Sequence, residues 1–361
     1  MIQRKHLIFL GIMAAALFGL LYWMLQPSTS NSTSIAKVEK DNDAVEQAEF
    51  QLIRFDRDVV SLGSGEFNAQ YANLKKKYGE WVDIYLFQIL GLDPKMPADQ
   101  LAVYVQGVLK EKNIAELDRL VAQKYANSDS LKKSMLPLVG YWNKYFPKMP
   151  IKRIVAMNSI FGLQNGLIKG GLLDDSTLFI SLECFLGESF DYNKLGEKMY
   201  AYQRFATKPE FMVPTLADAA LGNLMGYGLE GAPLVDQMVY WGKWNFVKKR
   251  LLPDFNDSLI MEVPGDKVAW CLKNEGSIWG FLTSKNVLFS NEIRIVSRYI
   301  NDAPFTPGMP KESPGKIGRW VGWRLVEQYM SQNSDVTIDA LMKNQNFQQI
   351  VKQSGYKPKT K

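Results

Sequence analysis

Residues able to do chemistry are few in this chain, and the scarcest type decides most. Its 361 residues include one histidine, His6, near the N-terminus. A folded region without imidazole cannot build a Ser-His-Asp or Cys-His nucleophile system, nor an HExxH zinc site. Two cysteines, Cys184 and Cys271, are too few for a thiolate metal cluster. They read as two small buried residues, with pairing left open because sequence does not give their separation. The expectation is therefore no catalytic, cofactor-binding or metal-binding residue, and no cofactor. Carboxylates remain. Glu275 recurs at helical spacing with Val268, Leu272, Trp279 and Leu282, on an apolar stripe where an unpaired charge is costly. It reads as one half of a buried salt bridge, to Arg319 or Arg324, or else as a functional group with a shifted pKa. Glu183 falls in an alternating segment, 177–186, and reads as an edge-strand acid with a structural role. A glycosidase-like carboxylate pair would need a defined separation, which sequence does not supply.

Two stretches are candidate contact surfaces. The loop 301–315, NDAPFTPGMPKESPG, has four prolines and two glycines, so its backbone is restricted. Asn301, Asp302, Phe305, Pro307 and Gly308 mark it. The helix that follows carries Gly318 and Gly322, placed to let another backbone come close, with Trp320 and Trp323 beside them. The second stretch is the stripe Gln237, Tyr240, Trp241 and Trp244 on a helix over 233–250, away from the apolar face Leu234, Val235, Met238, Val239, Gly242 and Phe246. Each aromatic set can also be read as packing under a neighbouring element, the reading preferred for the 233–250 stripe.

The elements that must position these residues follow from periodicity. Residues 51–60, 151–161 and 177–186 suit strands. Residues 66–147 read as helices, with Tyr85, Leu86, Ile89 and Leu90 on one face, Leu101, Val105 and Val108 on another, and Leu117, Leu120 and Val121 on a third. Helices return from about 209. The class is α+β, predominantly helical, with a small, mainly antiparallel sheet in one domain over 50–345. Residues 346–361 read as a basic tail and 26–49 as a flexible tether.

Residues 7–25, LIFLGIMAAALFGLLYWML, carry no charge and span roughly 28 Å as a helix, enough for a bilayer core. Arg4 and Lys5 precede the run, which sets residues 1–6 in the cytoplasm and the folded domain in the periplasm, held at the inner membrane by a single pass. Bulky Tyr22 to Leu25 argue for an uncleaved anchor rather than a signal peptide. No cysteine precedes Cys184, so lipid anchoring is not expected. The net charge is +6, but no basic run suits a phosphate backbone, and nucleic acid is excluded as a partner.

Arg54-Phe55-Asp56, LECFLGE at 182–188, VDQMVYWGK at 235–243, and above all NDAPFTPGMPKESPGKIGRWVGWRLVEQYM at 301–330 resemble the GldB family, gliding-motility lipoproteins of Bacteroidota. The resemblance covers roughly 50–345. It implies a non-enzymatic envelope component of gliding, tied to type IX secretion, whose partners are other gliding and secretion proteins. No catalytic residue carries over. The chain departs from the family in lacking the lipid-modified cysteine. More distantly, the order of elements is similar to that of predicted HExxH metallopeptidases. Their zinc helix would fall near 214–227, PTLADAALGNLMGY, which has no histidine, and a ligand expected before Gly242 is Trp241. That similarity implies a degenerate zincin-like scaffold with a peptide groove between 177–186 and this helix. It leaves as alternatives a peptide-binding pseudo-metallopeptidase or an envelope hydrolase using carboxylates.

Overall fold

The structure is a computed structural model that describes residues 42–163, 167–195 and 199–359. The hydrophobic run 7–25, and the stretch read as a tether up to residue 41, lie outside the described residues. No described helix is long and apolar enough to cross a membrane. Two compact units stand where the sequence reading has one domain: Glu39–Gly226 with Lys248–Val263, and a second holding Tyr227–Val247 and Pro264–Lys361.

The first unit is built on a four-stranded sheet: β1 (Gln51–Arg54), β2 (Arg153–Met157), β3 (Gly170–Asp174) and β4 (Thr177–Ser181), in the order β1-β2-β4-β3. The sheet is mixed, which corrects the mainly antiparallel expectation. β1, β2 and β4 run parallel, and only β3 opposes β4. The reason lies in the connections. Helices fill the chain between β1 and β2, and such a crossover returns the chain in the same direction. β3 and β4 are instead joined by a tight turn, in which Asp174 Oδ1 accepts from the Ser176 N–H at 3.0 Å. All five residues of β4 are buried, as an interior strand covered on both faces must be. The strand ends at Ser181, and Leu182–Phe185 turn into a short 3₁₀ segment.

Helices cover the sheet. In chain order they include α1 (Asn42–Glu46), α2 (Phe67–Tyr78), α3 (Ala98–Lys110), α4 (Lys112–Lys124), α5 (Ser128–Tyr145) and α6 (Met212–Met225), besides shorter helical turns. Capping explains two starts. The Glu111 carboxylate accepts from the Asn113 and Ile114 N–H groups, and Asn127 accepts from Ser130. Most of the predicted face residues are buried: Tyr85, Leu86, Ile89 and Leu90; Leu101 and Val105; Leu117 and Val121; Val108 and Leu120 are only half-buried. α1 falls inside the stretch read as a tether, and it packs so closely on α5 that a Cβ on Gly140 would lie 2.2 Å from the Ala44 carbonyl oxygen.

The second unit holds all but the last turn of α7 (Leu234–Leu251), then α8 (Gly265–Lys273), α9 (Glu275–Ser284), α10 (Ile293–Ile300), α11 (Ile317–Gln332), a short helix Ile338–Lys343, and α12 (Phe347–Ser354). α7 and α11 meet backbone to backbone: a Cβ on Gly322 would sit 1.7 Å from Met238 O, and one on Gly242 2.2 Å from Gly322 O. Residues 346–361 are not a loose basic tail as far as they are described. Ile350, Val351 and Tyr356 are buried, because the lysines of this stretch share it with an apolar face.

Gly322→Ala is expected to destabilise the second unit by about 3 kcal/mol or more, since the clash is with backbone. Gly280, an exposed helical position with nothing near its missing Cβ, is the control. Gly280→Ala should raise stability by roughly 0.5–1 kcal/mol. Thermal melts of the two variants read the contrast.

Candidate functional site

The carboxyl ends of the three parallel strands deliver a group of buried polar residues. β1 runs into Phe55-Asp56, β2 into Asn158-Ser159, and β4 into the 3₁₀ turn with Glu183. Glu183 is fully buried, and its strand is interior, so it is not an edge-strand acid. Its Oε1 accepts from the Ser159 N–H at 2.9 Å, the Phe161 N–H at 3.1 Å and the Ser159 hydroxyl. These donors converge because the backbone turns left-handed: φ is 52° at Ile160, 54° at Phe161, 72° at Gly162 and 42° at Leu163. Three of those residues are non-glycine, each costing roughly 1–2 kcal/mol in that region. Charge-assisted hydrogen bonds to one carboxylate offset part of this. Glu183 Oε2 has no partner among the described residues. Burial pushes the Glu183 carboxyl up to about 7, against the pull of its hydrogen bonds.

Asp118 joins the same group. Its Oδ1 accepts from Asn158 Nδ2 at 2.5 Å, while the Asn158 carbonyl accepts from the Tyr85 hydroxyl at 2.9 Å. Burial raises Asp118 to about 6, Asn158 opposing and the Asp56 charge adding. Asp56 itself is clasped by Arg54 through two hydrogen bonds, 2.8 and 2.6 Å. The sequence reading missed Asp118, Asn158 and Ser159. The available signal was the polar pair Asn158-Ser159 directly after the apolar run of β2.

Glu275 opens α9 and is buried. Of the two arginines proposed for it, Arg324 is the partner: Nε donates to Glu275 Oε1 at 3.0 Å, and the Tyr356 hydroxyl donates to the same oxygen at 2.9 Å. Arg324 also reaches Glu327 at 2.6 Å. Arg319 instead lies over the Trp241 ring, 3.7 Å from its centre, and donates to the Ile300 carbonyl. Burial first, then the Glu275 charge, raises the Tyr356 phenol well above its ordinary range.

The aromatic candidates are core residues rather than surface. Trp320 and Trp323 are 1% and 0% exposed, and Tyr240 and Trp244 are 3% each. Trp241 is half-buried, in ring contact with Tyr240 and Trp244. The reason is the glycine crossing, which draws the flanking helix surfaces inward. The loop 301–315 behaves as its prolines suggest. The Lys267 ammonium donates to the Pro304, Lys311 and Ser313 carbonyls at 2.7–3.0 Å, and the Thr306 hydroxyl donates to Pro314 O at 2.6 Å. Asn301, Asp302, Pro307 and Gly308 stand exposed on it, and Phe305 is half-buried. Asp302 pairs with Lys316 at 2.7 Å.

Where the distant similarity puts a zinc helix, α6 presents Asp218 to the buried Lys248 ammonium at 2.6 Å, with Glu262 at 3.3 Å. α6 lies over β3 here: a Cβ on Gly170 would sit 3.6 Å from Thr215 Cγ2. Cys184 and Cys271 are both buried, and no disulfide joins them. One open feature of the first unit is a recess of about 650 Å³ beside β1, among Arg57, Lys77, Tyr78 and Trp81.

Fold and site together define a mixed α+β protein in which Asp56 and Glu275 are held by arginines and Glu183 by a hydrogen-bonded turn. The family model of the gliding motility protein GldB, a lipoprotein family by its label, matches residues 36–358, and the chain belongs to that family. It is thus a gliding-motility-related protein. No curated protein and no solved structure matches the chain.

Glu183 carries a pH prediction. An acid whose folded pKa is raised binds more protons folded than unfolded, so stability is present at low pH and lost as pH climbs from the ordinary value of 4.5 to about 7. The loss is roughly 3 kcal/mol from Glu183, with Asp118 adding in the same direction. Urea melts from pH 4.5 to 8 should show this decline, and Glu183→Gln should flatten most of it.

Proposed function

We propose that this protein is a non-catalytic component of the envelope machinery of gliding, acting through contacts with other gliding and secretion proteins. The observation that carries the proposal is the commitment of both candidate acids. Glu275 is held by Arg324 and Tyr356, and Glu183 by the 159–161 turn. Family membership supports the process, and the pinned, solvent-facing loop 301–315 supports the mode of action. A stiffened loop loses little entropy when it docks. In this reading residues 7–25 anchor the protein in the inner membrane, with the N-terminus cytoplasmic and the two units in the periplasm.

One observation favours a second reading, an envelope hydrolase. A carboxyl raised to about 7 beside a strained turn is what a general acid looks like. Its burial speaks against substrate access.

The contact reading has a direct test. Deletion should abolish surface spreading, and in-cell crosslinking from Asp302 or Pro307 should recover envelope proteins. Alanine at Asn301, Asp302 and Pro307 together should reduce that recovery several-fold at an unchanged protein level. Normal spreading after deletion would end this reading.

A further inference from the structure

We propose that the free edge of β1, with the recess beside it, takes an extended, acidic segment of a protein partner as an added strand. The inference rests on the contact reading above and names the chemistry of one partner.

The edge comes first. β1 ends the sheet order, so one side of its backbone has no ladder partner among the described residues. The Gln51 N–H donates inward, to the Lys152 carbonyl at 2.9 Å. Parallel pairing uses alternate residues, so the N–H and C=O of Leu52 face the recess. Strand addition to such an edge is a common way to bind an extended chain.

Charge selects the guest. Arg54, Arg57, Lys77 and Arg153 line the recess against two acids, Asp58 and Asp174. Lys77 pairs with Asp58, Arg153 with Asp174, and Arg54 with Asp56 outside the lining. Arg57 is left without a carboxylate partner among the described residues; it donates to the Ala126 carbonyl at 2.7 Å. A carboxylate on the incoming strand fits there. Tyr78 forms one wall, and Trp81, with the Arg153 guanidinium 4.8 Å from its ring centre, offers an amphipathic floor. Charges on a short edge strand also guard against aggregation. A guard, however, needs no recess of about 650 Å³ with aromatic walls.

The experiment uses the full-length protein in detergent micelles and labelled synthetic peptides of alternating valine and glutamate. A valine–lysine peptide and a backbone N-methylated valine–glutamate peptide serve as comparisons. Anisotropy should show binding of the acidic peptide, weakened by salt, and at least about tenfold weaker binding of both comparison peptides. Leu52→Pro removes an outward N–H that the native ladder does not use, and should cost about tenfold, as should Arg57→Glu. Circular dichroism checks that each variant is folded, and the N-methylated peptide makes the same test on the unaltered protein. Equal binding of the acidic and basic peptides, or undiminished binding after N-methylation, overturns the proposal. If partners are still crosslinked from the loop 301–315, the contact reading survives that failure.

Discussion

At the crossing of α7 and α11 the two backbones touch, through Gly242 and Gly322, with no room for a Cβ on either. Much of the second unit follows from this contact. Helices that approach so closely bring their flanking side chains into one layer, and Tyr240, Trp244, Trp320 and Trp323 are buried there. Arg324, two residues beyond Gly322, then reaches Glu275 at the start of α9 and, through it, Tyr356 just past α12. That carboxylate ties the end of the described chain to the helical core. Gly318, on the same face of α11, lies against Tyr299 of α10 and so fixes where the loop 301–315 begins and ends.

The first unit solves a different problem, how to end three parallel strands that are buried from water. Strand ends leave polar groups inside, and burying them is tolerable only when they are paired. Arg54 with Asp56, Asn158 with Asp118, and the 159–161 turn with Glu183 supply the pairs. The left-handed turn is strained, and the Glu183 carboxyl is held above its ordinary pKa. Both costs are consistent with a fastener as well as with a reactive group. The distinction rests on access, and the carboxylate has none to solvent.

Much of this was legible in the sequence where the cause is local. Glycine spacing announced the close helix contact, most residues of the helical faces were buried though Leu272 is exposed, and Arg324 was one of two partners named for Glu275. What was illegible depends on distant residues. Strand direction in the sheet is set by which segment returns beside which, so β1 and β2 looked no different from an antiparallel pair. The alternation of 177–186 continues past Ser181, though the backbone turns there, and this placed Glu183 on an edge it does not occupy. Trp320 and Trp323 are aromatic on any reading; only the α7 backbone decides that they are inside. The lysines near the C-terminus hid the apolar face of α12. No residue type advertises a left-handed Ile160 or Phe161, so the cradle for Glu183 gave no signal.

The proposal that these buried carboxylates hold the fold and perform no reaction is tested by returning the gene to a deletion strain with Glu183→Gln, which preserves shape and one acceptor oxygen but cannot transfer a proton as a carboxyl does. Surface spreading at the level of the unaltered protein is expected. Loss of spreading by a variant present at normal abundance and no less stable than the unaltered protein would contradict it.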